Sequence, residues 1–456
     1  MQRQEVAYHR DGAEIFARFA AEPGAVFLDS GLASGPQRHF DLLLRHPRLW
    51  VWEDGNGVWC QRPDGLPELQ DQALFPILRR VLGESLPVSP GELPQFPLVC
   101  GYLSYEWGMR HKLGGKGEST QPLALFALYD QGLAQDHRQQ RAWIIGDSPA
   151  QESWHAVLAS PPSASSFILQ EPIANDWSYA EYAAAFAQVQ EYIRAGDCYQ
   201  INLTQTFTSS WLGDPWPLYA RLRSVSRAPF SAFFRHPWGS LLSVSPERLL
   251  RLQDGQLEAR PIKGTRARSE DPQQDRALAA ELLASEKDQA ENVMIVDLLR
   301  NDLGHVASTG SVRVPELFAL ESYDQVHHLV SSVVAELAPG FDAWDALGAA
   351  FPGGSITGAP KRRAMAIIAE LEAHNRGLYC GSFGYVAAAG NMDWNILIRS
   401  LELDARGSLR FSGGGAVVAD SDCASEYAES QEKVAMIRTV LEEFLPQGLG
   451  CARVTR

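Results

Sequence analysis

The sequence predicts a mixed α/β fold, built either as two lobes or as one large interleaved body, on three observations. A chain of 456 residues exceeds the usual size of a single domain and can bury a sizeable core. Its first part, roughly to residue 150, repeats short β-like runs between turns rich in Gly and Pro. Beyond that, segments with apolar residues at helical spacing alternate with strand-like segments to about residue 445. No fixed-period repeat is visible, which argues against a solenoid or a propeller.

The β-like runs are GAVFLDS (24–30), RLWVWED (48–54), PLVCGYLSYEW (97–107) and LALFALYD (123–130). VLASPPSASS (157–166) is short in large apolar residues and rich in Pro and Ser, so it is the expected linker. This predicts an N-terminal lobe at 1–156, a linker at 157–175 and a second domain at 176–445. In that domain, SYAEYAAAFAQVQEYIRAGDCYQ (178–200) predicts a helix that stops at Gly196, and YQINLTQTF (199–207) alternates as a strand. SEKDQAENVMIVDLLRNDLG (285–304) predicts a helix with Val293, Met294, Val296, Leu298 and Leu299 on its apolar face and Gly304 as its stop. A second acidic helix, SEYAESQEKVAMIRTVLEEFL, covers 425–445.

Composition narrows the function. An apolar fraction of 45% and a charged fraction of 21% are ordinary for a globular protein and give no sign of a disordered domain. With 55 acidic against 40 basic residues, a net charge of -15 argues against a nucleic-acid surface or an anionic membrane patch. A small molecule is the expected substrate, and an anionic one requires local positive charge from Arg, Lys or a metal. The 6 cysteines are scattered without a Cys-x-x-Cys pair, so neither a zinc knuckle nor a disulfide framework is signalled and a reducing cytoplasm fits. Asp11, Glu14 and Arg18 fall where a secretory signal needs its apolar run, so export and membrane spanning are not expected.

Several residues invite chemistry, each beside a plainer reading. Glu291 shares a helix face with Asp288, and Glu426 stands three residues before Glu429. Such carboxylates can hold a hard cation, for which Mg2+ suits better than zinc, or they are the wet faces of two helices, as Glu432 suggests. FPGGSITGAPKRR (351–363) has a glycine-rich helix entry with Ser355 and Thr357 hydroxyls but fails the Walker pattern, because Ala359 and Pro360 follow Gly358. The glycines of FSGGGAVVADS (411–421) are either a turn or a close approach to a ligand. Arg399, among apolar neighbours, is a carboxylate clamp or half of an internal salt bridge. Glu247 is a partly buried acid or the partner of Arg248, and His327 and His328 are packed histidines or substrate contacts. Lys263, between Ile262 and Gly264 in RPIKGTR (260–266), does not look like a solvated charge.

Together these motifs resemble a family. Ser-Pro-Glu-Arg (245–248), Pro-Ile-Lys-Gly-Thr (261–265), Ala-Glu-Asn-Val-Met-Ile-Val-Asp-Leu-Leu-Arg-Asn-Asp (290–302), Phe-Pro-Gly-Gly-Ser-Ile-Thr-Gly-Ala-Pro-Lys (351–361), Tyr-Cys-Gly-Ser-Phe-Gly-Tyr (379–385) and Gly-Gly-Gly (413–415) occur in the order and spacing of the chorismate-utilising enzymes. The resemblance is strong over about 180–440 and weak in the N-terminal lobe. It implies two packed antiparallel sheets flanked by helices. Anthranilate synthases resemble Pro-Ile-Ala-Gly-Thr at the second motif, whereas Lys there marks the branch that aminates chorismate on the way to para-aminobenzoate and folate.

By this resemblance, Lys263 would attack C2 of chorismate while Glu247 protonates the departing C4 hydroxyl, and ammonia would then add at C4 and expel the lysine. Glu291, Glu426 and Glu429 match the Mg2+ site. Arg399, Tyr379, Gly413 and Gly414 match positions holding the enolpyruvyl carboxylate, and Thr265, His328 and Thr357 match further substrate contacts. The implied partner is a separate glutaminase subunit, component II of the synthase, that supplies ammonia, since no Gly-x-Cys-x-Gly nucleophile occurs here. Anthranilate synthase component I is the alternative within the family; a non-catalytic, chorismate-binding partner of a glutaminase is the alternative outside it. Two departures stand out. Phe-Leu-Asp-Ser (27–30) replaces the Leu-Leu-Glu-Ser of tryptophan-inhibited relatives, which weakens the case for tryptophan feedback, and His305 stands where Arg is frequent.

Overall fold

The computed structural model describes residues 2–32, 39–83, 96–114, 121–323, 326–372 and 374–446. Among them, thirteen strands form one sheet and twelve another, and the pairings are antiparallel. The first sheet runs Gln2–Val6, Arg141–Gly146, Gly132–Asp136, Phe40–Leu44, Val26–Asp29, Phe230–His236, Gly239–Ser245, Ser400–Asp404, Ser408–Val417, Gln200–Gly213, Phe167–Leu169, with the short strands Ala174–Asn175 and Gly358–Ala359 also pairing with Gln200–Gly213. The second runs Ile262–Ala267, Val326–Glu336, Gln256–Ala259, Arg248–Gln253, Met392–Asn395, Ser382–Ala387, Leu98–Leu103, Ala124–Tyr129, Leu49–Glu53, Val58–Gln61, Glu68–Gln70, with Arg313–Ser322 also pairing with Val326–Glu336. In each sheet a block of strands from the first 146 residues therefore pairs edge to edge with a block from the rest of the sequence, through Val26–Asp29 on Phe230–His236 in one and Leu98–Leu103 on Ser382–Ala387 in the other.

The continuous apolar runs have a physical reason here. Antiparallel strands usually bury one face and wet the other, but these are buried on both. Val26, Leu42, Leu44, Phe234 and Leu241 point into the core shared with Leu98, Cys100, Tyr102, Leu125 and Ala127 of the second sheet. Their immediate neighbours Phe27, Leu43, Phe233 and Leu242 point the other way, against Phe16, Trp154, Leu222 and Ile437. In the second sheet Val99, Leu103, Ala124 and Phe126 likewise face an outer cluster that takes in Ile295, Leu299 and Trp344. The period of two thus sorts one strand between two cores, and the layers are helices, sheet, sheet, helices. This is the antiparallel architecture expected from the sequence.

The elements around the site are β1 (Gln200–Gly213), β2 (Gly239–Ser245), β3 (Arg248–Gln253), β4 (Ile262–Ala267), α1 (Pro272–Ala284), α2 (Glu286–Gly304), β5 (Val326–Glu336), α3 (Lys361–Leu371), β6 (Ser408–Val417) and α4 (Cys423–Glu442). Both acidic helices begin on a side-chain cap. Ser285 accepts from Asp288 N at the start of α2, and Asp422 accepts from Ser425 N at the start of α4; such a cap contributes ~1 kcal/mol. α1 was not foreseen, because Leu282 is its only buried residue and it lacks an apolar stripe. Cys60, Cys100, Cys198, Cys380 and Cys423 are free thiols; Cys451 lies outside the described residues. No described helix is long and apolar enough to cross a membrane.

Candidate active site

β4 presents Lys263 through a local irregularity. Its pairing with β5 shifts register between Ile262 and Thr265, and Gly264 inside that shift has φ +77. A Cβ on Gly264 would lie 2.7 Å from Leu282 Cδ1 and 2.9 Å from Asp288 Cγ. Only glycine fits, and the bulge re-aims the lysine beside it. The Lys263 side chain is 12% exposed, with Nζ 3.8 Å from Glu291 Oε2 on α2. Burial pulls its pKa below the usual lysine value, and the neighbouring Lys433 adds to this while Glu291 opposes it.

Glu247 sits in the turn between β2 and β3. Its N–H donates to Ser245 Oγ (3.2 Å) and its carbonyl accepts from Ile396 N (3.0 Å). The side chain is buried, and Oε1 accepts from Ser355 Oγ at 3.0 Å. Burial raises the carboxyl's pKa, against the pull of Lys263, the Ser355 hydroxyl and Lys433. Arg248 is not its partner: that guanidinium donates to both oxygens of Asp393, at 2.8 and 2.9 Å.

The glycines of β6 are a close approach. A Cβ on Gly413 would meet Ser430 O at 2.7 Å, and one on Gly415 would meet Glu426 Oε2 at 3.0 Å and Glu429 Oε1 at 3.6 Å. Bare backbone lets α4 lie against β6 and brings Glu426 and Glu429 to the strand. Glu426 is buried; Oε1 accepts from Ser421 Oγ (2.7 Å) and Oε2 is buried without a partner. Lys433 Nζ reaches Glu429 Oε1 (2.7 Å) and donates to Gly414 O (2.9 Å). Burial raises Glu426; for Glu429 burial works the same way, but Lys433 prevails and holds it below the usual carboxylate range.

Hard oxygen donors and an orphaned carboxylate oxygen on Glu426 fit a divalent cation such as Mg2+ in donor chemistry. The third carboxylate stands apart. Glu291 faces Lys263, and among the described residues no three His, Cys, Asp or Glu side chains close on one centre. Lysines neutralise two of the three acids in this structure.

Arg399 has φ +51, a left-handed conformation that costs a non-glycine residue ~1–3 kcal/mol. Among the described residues its guanidinium has no acidic partner within 4 Å, so the salt-bridge reading does not hold. Burial lowers its pKa, and a desolvated, unneutralised guanidinium is a receptor for a carboxylate. Tyr379 is buried, its hydroxyl pushed far up by that burial, next to Cys380, whose N–H donates to Leu397 O at 2.8 Å. His328 Nδ1 is 2.9 Å from Thr265 Oγ1, and burial depresses the imidazole to about 4, so it is neutral at physiological pH. His327 instead lies 3.0 Å from Asp275 of α1 and 2.8 Å from Ser322. Thr357 is fully buried and its hydroxyl donates to Gly353 O (3.0 Å) and Gly354 O (3.4 Å), holding the turn before α3.

This order of motifs over this fold can be compared with known proteins. Residues 62–439 match the chorismate binding enzymes. The chain belongs to that family. Aminodeoxychorismate synthase component 1 of Klebsiella aerogenes is 42% identical over 95% of this chain and 97% of its own length. The protein of the same name from Escherichia coli K12 is 40% identical over 96% and 97%. The crystal structure of anthranilate synthase component I from Streptococcus pneumoniae superposes with a TM-score of 0.78 at 29% identity, covering 88% of this chain and 93% of that one.

In this chorismate binding enzyme's candidate site, Lys433 and the contact of Ser355 with Glu247 escaped sequence reasoning. Lys433 carries a readable signal, four residues after Glu429 on the same helix face. The Ser355 hydroxyl was read at the glycine-rich helix entry, but no local pattern links it to Glu247, 108 residues away.

Proposed function

We propose that the chain converts chorismate and ammonia to 4-amino-4-deoxychorismate, the amination that leads to para-aminobenzoate. Lys263 Nζ forms a bond to C2 as the ring double bond shifts and the C4–O bond breaks. Glu247 gives its proton to the departing oxygen, which leaves as water. Ammonia then bonds to C4, the double bond returns, the N–C2 bond breaks, and Lys263 is regenerated. Covalent catalysis of this kind replaces one hard substitution with two easier ones.

The observation that carries the reading is the pairing of a buried lysine and a buried acid, both displaced towards their neutral forms. A neutral amine is the nucleophile and a protonated carboxyl is the acid, so the same burial equips both. The length and identity of the match to proteins named aminodeoxychorismate synthase component 1 support it further. Arg399 would clamp the enolpyruvyl carboxylate, with Tyr379 and the backbone at Gly413 and Gly414 beside it, while Thr265, His328 and Thr357 would shape the rest of the pocket. Glu426, Glu429 and Glu291 would hold Mg2+, which when bound supplies positive charge for the ring carboxylate. A separate glutaminase subunit would supply the ammonia, and the enzyme would work in the cytoplasm. We assign the substrate site to the 176–445 domain.

The test is product analysis with purified protein, chorismate, Mg2+ and ammonium at mildly alkaline pH. Conversion of the product to para-aminobenzoate by an aminodeoxychorismate lyase is expected, with loss in Lys263→Ala. Anthranilate and pyruvate as products would overturn the assignment, and so would undiminished turnover in Lys263→Ala.

A further inference from the structure

Glu247 must do more than be protonated: its proton has to sit on the oxygen that faces the departing hydroxyl. Its backbone is fixed at Ser245 and Ile396, but the carboxyl can still turn, and either oxygen can carry the proton. Ser355 Oγ donates to Oε1 at 3.0 Å. An oxygen accepting a hydroxyl proton is the poorer place for the acid's own proton, which is left to Oε2.

The turn that carries Ser355 is held from several sides. It is the single 3-10 turn Gly354–Ile356, tied off by the Thr357 hydroxyl on Gly353 O and Gly354 O. A Cβ on Gly354 would lie 2.2 Å from Leu298 Cδ2, so bare backbone presses against α2. The Gly-Gly-Ser sequence therefore sets a hydroxyl at a fixed height beneath Glu247.

We propose that Ser355 is a positioning residue for Glu247, holding Oε1 as an acceptor so that the acid presents its proton on Oε2. This rests on the amination reading above. Once the proton is given up, the same hydroxyl stabilises the carboxylate that remains, so it also makes Glu247 a stronger acid. The charged groups that bear on Glu247 are Lys263 on β4 and Lys433 on α4, and neither is altered by changing Ser355.

The experiment compares kcat and KM for chorismate across pH, with ammonium as nitrogen source, in the wild type, Ser355→Ala and Ser355→Thr. Ser355→Ala is expected to lose about 10- to 100-fold in kcat, a part of what general acid catalysis supplies, with KM within about twofold. The alkaline limb of its kcat profile should move to higher pH, because the carboxylate has lost a donor. Ser355→Thr, which keeps the hydroxyl, should restore most of the rate and return the limb. Unchanged kcat in Ser355→Ala would overturn the proposal, as would a fall in kcat with the limb unmoved or a Ser355→Thr no better than alanine. Melting temperature and chorismate binding of Ser355→Ala separate these results from misfolding. If the wild type gives no 4-amino-4-deoxychorismate, the amination reading falls and this proposal with it; a productive wild type with an indifferent Ser355→Ala sinks this proposal alone.

Discussion

Burial acts on Lys263, Glu247, Glu426 and His328 in the direction that removes charge, and such shifts also govern stability. His328 shows the sign plainly. Buried beside Arg399 and His327, it falls from the usual histidine range to about 4. A group whose folded pKa is depressed binds more protons when unfolded, so its stabilisation is complete above about pH 6.5 and is lost as pH falls towards 4. With 1.36 kcal/mol per unit, the loss is about 3 kcal/mol over that window. Urea denaturation at pH 7 and pH 4.5 should therefore show a smaller acid loss in His328→Gln than in the wild type. Equal losses would mean that the imidazole is not desolvated as described.

At the scale of elements, the two contacts that aim the site are made by absent side chains. Gly413→Ala would push a methyl to 2.7 Å from Ser430 O, backbone that cannot swing aside. α4 must then move away from β6 and take Glu426 and Glu429 with it. Overpacking of this sort costs ~1–3 kcal/mol, and calorimetry should show weaker Mg2+ binding together with a lower Tm. If Mg2+ affinity is unchanged while Tm falls, the carboxylates are not positioned by this contact. Much of this was legible beforehand. The periodicity of 285–304 gave α2, and the glycine run at 413–415 admitted a close approach. The rest was not legible for a physical reason. α1 has one buried residue, and the hydrogen bond from Ser355 to Glu247 joins two turns that no local pattern connects. The pairing of Val26–Asp29 with Phe230–His236 is likewise set by tertiary packing, not by either strand alone.

For the whole molecule, the -15 charge concentrates a problem in one place. Four glutamates, Glu247, Glu291, Glu426 and Glu429, line the site, and among the described residues Lys263 and Lys433 are the cations within 4 Å of any of them. A dication that binds the folded chain should stabilise it by mass action, by ~2.7 kcal/mol at a hundred times its Kd. Thermal scans should thus show Tm rising with Mg2+ in the wild type and not in Glu426→Gln; an equal rise in both would place the stabilising ion elsewhere. The sheet order has a further consequence during synthesis. Val26–Asp29 pairs early with Phe40–Leu44 but waits for Phe230–His236 on its other edge, and Gly239–Ser245 pairs with Phe230–His236 but waits for Ser400–Asp404, so one edge of each strand leaves the ribosome long before its partner exists. The nascent chain carries unpaired apolar edges for most of its translation, and it has no complete catalytic centre until α4 has emerged.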